Sequence, residues 1–133
     1  MAFVVLDTDV ASRIIKRTLP ASLTRQLIGL SPCVTFVTVA ELHKWMAIRS
    51  WGPQRRAGLE GWLGGVPHLG YDDEVSRTWG NLSAEAVRRG RPRPSNDMWN
   101  AACCLAEGLP LATLNVKDYI DFTHHHQLHL ITG

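Results

Sequence analysis

Phe3-Val4-Val5-Leu6-Asp7-Thr8-Asp9-Val10 decides how the rest of the chain reads. Four consecutive apolar residues ending on a carboxylate have the pattern of a short strand buried on both faces, because a strand with one wet face would alternate. Strands buried in this way belong to parallel sheets, whose crossover connections lay helices over both faces. Thr8 is suited to cap a helix directly after the strand. Asp7 then falls where open parallel sheets bind ligands, beyond the carboxyl end of a strand.

Outward from this stretch, strands and helices alternate. A helix is expected over roughly Asp9 to Arg17, and Pro20 breaks it before a second helical stretch ending near Gly29. Val34 to Thr38 is β-branched or aromatic and predicts the second strand. Val39, Leu42, Trp45, Met46 and Ile48 then recur at helical spacing up to Arg49, which puts Glu41 in the first turn after that strand. Pro53 opens a helix through Trp62, Gly64 and Gly65 end it, and Val66 to Leu69 makes a third strand. Asp72 to about Arg89 reads as a helix, with Asp72 and Asp73 as partners of its dipole. Two prolines turn Arg88-Arg89-Gly90-Arg91-Pro92-Arg93-Pro94 into a basic loop. Ser95 caps a helix from Asn96 to Glu107, stopped by Gly108 and Pro110. Leu111 to Thr113 gives a fourth strand and Leu128 to Ile131 a fifth. The expectation is an α/β fold with a five-stranded, mostly parallel sheet flanked by helices, as a single domain over residues 1–133 without repeats or linkers.

Bulk properties narrow the function classes. A formal net charge of +2 over 133 residues is too small to mark a nucleic-acid binder by composition. No stretch approaches the ~18 apolar residues of a membrane span, and the N-terminus lacks the basic start and cleavage site of a secretory signal, so a cytoplasmic protein with no membrane partner is expected. Cys33, Cys103 and Cys104 match neither a disulfide framework nor a zinc spacing and read as small core residues.

Acidic residues carry the chemistry. Asp7 and Asp9 follow the first strand, Glu41 the second and Asp118 the fourth, while Asp97 opens a helix after the basic loop. Taken singly, each also suits a helix-dipole partner, and Glu41 could pair with Lys44 at i+3. Gathered in one crevice they would repel by about 3 kcal/mol per ionised pair at ~5 Å and an effective dielectric of ~20. A divalent cation relieves that repulsion. Oxygen ligands without cysteine or histidine favour Mg2+, with Mn2+ as a substitute, and suit phosphodiester chemistry with one ion or two.

Four blocks resemble the PIN-domain nucleases and, more closely, the VapC-type toxins of bacterial toxin–antitoxin pairs. Val5-Leu6-Asp7-Thr8-Asp9-Val10 is similar to that family's strand ending in Asp-Thr-Asn or Asp-Thr-Asp, and Thr38-Val39-Ala40-Glu41-Leu42 to its Thr/Ser-x-x-Glu-Leu block. Asn96-Asp97-Met98-Trp99-Asn100-Ala101-Ala102 resembles Asp-x-x-Ile-Ala-Ala. Leu111-Ala112-Thr113-Leu114-Asn115-Val116-Lys117-Asp118-Tyr119 resembles Thr-x-Asn-x-x-Asp-Phe. The resemblance implies a PIN-like fold, a Mg2+-dependent endoribonuclease acting on structured RNA such as tRNA, a homodimer, and a cognate VapB-type antitoxin. It also implies Asp7 and Asp97 as metal ligands, Glu41 and Asp118 as further catalytic carboxylates acting directly or through water, and Thr8, Asp9, Asn96, Thr113 and Asn115 as supporting polar groups. Either Asp118 or Asn115 completes the acidic set. Asn100 stands where the pattern has an apolar residue, so a hydrogen-bond partner is expected for it.

Other features have two readings. Arg88, Arg89, Arg91 and Arg93 form either an RNA-backbone track or a solvated loop. The five tryptophans are read mainly as core or interface residues, with at most one touching RNA. His124, His125 and His126 suggest a surface turn before the last strand in preference to a metal site. Two rival functions remain: a haloacid-dehalogenase-type phosphatase with Asp7 as nucleophile and Asp9 as acid/base, and a non-catalytic module that binds RNA or an antitoxin.

Overall fold

The computed structural model describes residues 2–133. Strands β1 (Phe3–Leu6), β2 (Ser31–Thr35), β3 (His68–Leu69), β4 (Leu111–Ala112) and β5 (Leu130–Ile131) form one sheet ordered β3-β2-β1-β4-β5, with every pair parallel. Helices α1 (Thr8–Lys16), α2 (Ala21–Leu27), α3 (Phe36–Ile48) and α4 (Pro53–Gly64) precede α5 (Asp73–Arg88), α6 (Ser95–Glu107) and α7 (Val116–His126) in the chain.

Side-chain alternation along β1 builds the two halves of the core. Val4 and Leu6 pack with Val10, Leu23, Leu42 and Leu59 of α1 to α4, while Val5 packs with Val75, Leu82, Met98, Ala102 and Phe122 of α5 to α7. Both faces of the strand are therefore dry, which is why its apolar run is continuous. Complete burial of a side chain such as Leu59 or Phe122 stabilises the fold by about 1.5–3 kcal/mol. Cys33, Cys103 and Cys104 are free thiols inside this core, as expected. Burial pushes the Cys103 thiol up to about 12 and leaves it unreactive.

The chain winds from β1 outward to β2 and β3, then crosses back to add β4 on the other side of β1. Winding direction thus reverses between β1 and β4, and a crevice opens at their carboxyl ends. No helix among the described residues is long and apolar enough to cross a membrane.

Local boundaries differ from the sequence expectation in physically informative ways. The second strand ends at Thr35, three residues early, because the Thr35 hydroxyl accepts from the Thr38 backbone N–H and starts α3 at Phe36. Capping here overrides the β preference of Phe36, Val37 and Thr38. Glu41 consequently sits in the second turn of α3 and not in its first. Asp7, not Thr8, caps α1, accepting from the Thr8 N–H at 2.9 Å. Ser95 is the first residue of α6 and its side chain makes no cap. The largest omission is α7, whose buried Tyr119 and Phe122 lie at i and i+3. His124, His125 and His126 form its last turn, and Gln127 ends it in the left-handed region with φ 63°.

Candidate active site

Asp7 is fixed from four directions. Its backbone N–H donates to the Ala112 carbonyl at 2.9 Å, which extends the β1–β4 ladder to the last residue before α1. Its Oδ1 accepts from the Thr8 N–H at 2.9 Å, the Tyr119 hydroxyl at 3.2 Å and Asn100 Nδ2 at 3.4 Å. Oδ2 accepts from Thr113 Oγ1 at 2.8 Å, across the point where the winding reverses. Burial pushes the Asp7 pKa up, and so does the charge of Asp118, while the bonds from Thr113, Thr8 and Tyr119 pull it back.

Three further carboxylates are positioned by neighbouring elements. The Thr8 hydroxyl lies 3.0 Å from that of Thr38 and donates to Glu41 Oε1 at 3.1 Å, so the early start of α3 ties Glu41 to α1. Asp9, in the first turn of α1, accepts from Asn115 Nδ2 at 2.9 Å. Asp97, in the first turn of α6, accepts from the Tyr119 hydroxyl at 3.3 Å. Burial first, and then the charge of Asp7, pushes the Asp9 pKa up to about 6. Burial, Asp118 and Asp7 in that order push Asp97 up to about 6, and burial raises Glu41. Asp118 completes the group from the first turn of α7.

All five acids line one crevice of about 340 Å³, with Trp45, Asn96 and Asn115 among the other lining residues. A larger apolar groove of about 430 Å³ between α1 and α2 contains no carboxylate. Chemistry, and not volume, therefore selects the acidic crevice. Asn96 is exposed there and makes no side-chain hydrogen bond among the described residues, so it lines the opening and does not brace a carboxylate.

The expected basic loop is shorter than read, since Arg88 ends α5 and Arg89 is its C-cap, and of the four arginines only Arg93 borders the acids. It is half-buried, its Nη2 reaches the Asp118 carbonyl at 3.5 Å, and its charge lowers the Asp97 pKa. Arg91 pairs with Asp121 at 3.0 Å, Arg89 lies 4.0 Å from Glu85, and Arg88 is exposed at the end of α5. His126 Nε2 lies 3.3 Å from Glu85, and no histidine lines the crevice. Glu41 forms no ion pair with Lys44. Asp72 caps α5 by accepting from the Val75 N–H at 2.9 Å.

Sequence reading missed Tyr119 altogether and foresaw a hydrogen-bond partner for Asn100 without placing it in the site. Tyr119 contacts both Asp7 and Asp97, and its single phenolic proton serves one of them at a time. Asn100 accepts from the Thr35 hydroxyl through Oδ1, which turns Nδ2 toward Asp7 and toward the Tyr119 oxygen at 3.1 Å. The expected partner of Asn100 is thus a network of three residues. The available signal was that Asn100 and Tyr119 are both more polar than the block patterns they resemble.

Oxygen donors alone suit a hard cation, and four carboxylate pKa values raised by burial, with mutual repulsion among their causes, describe a site that a positive charge would relieve. Among the described residues no three carboxylate, imidazole or thiol groups converge closely enough to enclose an ion by themselves.

No protein-family model matches the chain. Individual relatives do. Ribonuclease VapC2 of Haemophilus influenzae is 34% identical over 117 residues, covering 86% of this chain and 87% of the relative. The tRNA(fMet)-specific endonuclease VapC of Shigella flexneri is 32% identical over 118 residues with the same two coverages, 86% and 87%. Among solved structures, VapBC-1 from nontypeable Haemophilus influenzae superposes with a TM-score of 0.79 at 26% identity over 96% of both chains. With relatives this similar over most of its length, and with the sheet order and clustered acids described above, the chain belongs to the VapC family of toxin ribonucleases.

Proposed function

We propose that this protein is a Mg2+-dependent endoribonuclease that hydrolyses phosphodiester bonds in structured RNA such as tRNA, arresting translation until a VapB-type antitoxin binds it. One observation carries the reading: five carboxylates from four separate segments meet at the β1–β4 switch point, around an Asp7 held by four donors. The tRNA specificity in the name of the Shigella relative supports the substrate class, and the VapBC assembly of the Haemophilus structure supports the antitoxin. A homodimer acting in the cytoplasm completes the proposal.

Asp7 and Asp97 would hold the metal, with Glu41 and Asp118 reaching it directly or through water. Bound Mg2+ would supply a Lewis acid for a phosphoryl oxygen and lower the pKa of a coordinated water. The chain's own groups do the rest. Thr113, Thr8, Asn100 and Tyr119 keep Asp7 in one orientation, so the acidic site is formed before RNA arrives. Glu41, with its pKa raised and its Oε1 held by Thr8, is placed to accept a proton from the attacking water. Arg93, beside Asp97 and Asp118, is placed to meet a phosphate entering the crevice.

Wild type and Asp97→Asn incubated with total RNA, in Mg2+ and in EDTA, test the proposal when new RNA ends are mapped. Discrete cuts are expected only with wild type and Mg2+. Equal patterns in all four samples would transfer the function to a non-catalytic binding module.

A further inference from the structure

Beside the acidic crevice lies a second cleft of about 420 Å³, and Asp9 and Trp45 line both. Its charge has the opposite sign. Arg13 and Lys16 enter from α1 and Arg49 from the end of α3. All three are exposed, and none has a carboxylate within 4.0 Å among the described residues.

The two helices repeat one pattern. Along α1 the order is Asp9, Arg13, Lys16, and along α3 it is Glu41, Trp45, Arg49, at spacings of three or four residues that keep each set on one face. Each stripe therefore begins acidic in the crevice and turns basic about 6–12 Å further along its axis, at 1.5 Å per residue. Compensation of the helix dipole accounts for the α1 order, since Asp9 is in the first turn and Arg13 and Lys16 in the last. On α3 it accounts for Arg49, the C-cap residue, but not for Glu41, which lies in the second turn. Arg49 also stacks over the Trp45 ring, 5.5 Å from its centroid, which holds one cation on the wall between the clefts.

We infer that Arg13, Lys16 and Arg49 form a binding site for backbone phosphates of the RNA strand flanking the cut. The inference rests on the ribonuclease reading and adds the direction in which the strand leaves the site. Three cations on one wall neutralise up to three strand phosphates, each contact releasing counterions. The basic segment between Arg88 and Arg93 supplies little of this path, because Arg91 is already paired with Asp121 and Arg89 lies against Glu85.

Binding of bulk tRNA and of an oligouridylate is measured against salt concentration at constant Mg2+, in the Asp97→Asn background so that RNA stays intact. The tested variant carries Arg13→Gln, Lys16→Gln and Arg49→Gln together, and the charge-retaining control carries Arg13→Lys and Arg49→Lys. Losing the two last-turn cations of α1 and the Arg49–Trp45 stack should lower the melting temperature by only a few degrees, so binding is compared at a temperature where every variant is folded. The glutamine variant should lower the slope of log affinity on log salt by about 2, and affinity at low salt by 10- to 100-fold, while the lysine control keeps the wild-type slope. An unchanged slope in the glutamine variant, alongside Mg2+-dependent cleavage by wild type, overturns this inference and leaves the ribonuclease reading standing. Absence of both cleavage and RNA binding in wild type overturns both. Displacement of RNA by polyglutamate as effectively as by oligouridylate at equal charge assigns the cleft to an acidic peptide and overturns it too.

Discussion

Asp97→Asn in the metal-free protein measures what it costs to hold a charged carboxyl half-buried beside the other crevice acids. Burial, then Asp118 and Asp7, push the Asp97 pKa up to about 6 from the ordinary 3.8. A difference of about 2 pKa units corresponds to about 3 kcal/mol, and because the carboxyl is only half-buried, solvent screening reduces this to about 1.5 kcal/mol. Asparagine keeps the oxygen that accepts from Tyr119 and removes the charge. At pH 7.5 in EDTA the variant should melt about 5 °C above wild type, as a chain of this size gains roughly 3–5 °C per kcal/mol. The sign with pH follows from linkage. A carboxyl whose folded pKa is raised binds its proton more tightly when folded, so the stability it contributes is full below about pH 4 and is lost as pH rises through 6. The advantage of the variant should therefore fall by about half at pH 5. Comparing the two proteins at each pH cancels His126, whose burial lowers its pKa and which opposes the trend. Saturating Mg2+ should reverse the order, since a ligand at 100 times its Kd adds about 2.7 kcal/mol to the protein that binds it. Equal or lower melting of Asp97→Asn in EDTA, or a difference independent of pH, would refute a carboxyl destabilised by burial and by its acidic neighbours.

Three other substitutions separate parts of the site. Thr113→Val keeps the shape but removes the donor to Asp7 Oδ2, and should cost about 1–3 kcal/mol in urea unfolding and most of the cleavage activity, both restored by Thr113→Ser. Tyr119→Phe preserves the ring packing against Phe122 while freeing Asp7 and Asp97 from their shared donor. It should lower kcat at least ~10-fold with KM unchanged, in steady-state cleavage of a labelled RNA, because the hydroxyl orients carboxylates and does not face substrate. Arg91→Gln breaks an ion pair whose arginine is largely exposed, and should change unfolding free energy by less than about 1 kcal/mol and leave RNA affinity near wild type.

Legibility followed the reach of local physics. The run from Phe3 to Leu6 revealed a doubly buried strand because side-chain alternation is a property of the strand itself, and the structure places those residues in β1 with core on both sides. Phe36, Val37 and Thr38 were misread as strand because Thr35 has two uses, as the last residue of a β-branched strand and as the cap of α3, and its hydrogen bond from the Thr38 N–H ends the strand there. The α7 helix was overlooked although Tyr119 and Phe122 have helical spacing, since acids and histidines around them masked a two-residue apolar signal.

At the site, strand and helix ends were enough to collect Asp7, Asp9, Glu41, Asp97 and Asp118, but not to say what holds them. Asn100 shows why. Its polarity inside an apolar helix demanded a partner, yet the partners lie 19, 65 and 93 residues away at Tyr119, Thr35 and Asp7, in elements whose adjacency depends on the sheet order. The same limit hid the basic cleft. Each helix by itself shows a harmless gradient from acid to base, and only their side-by-side packing converts two gradients into a path. A cation bound at the acidic end would remove the repulsion there without weakening Arg13, Lys16 and Arg49 further along. An RNA strand could then lie across both clefts, with its scissile phosphate at the metal and its neighbours on the arginines and lysine. For this reason loss of Mg2+ and loss of the three cations should be separable: the first abolishes cleavage with most RNA binding retained, the second weakens binding with the chemistry of bound RNA intact.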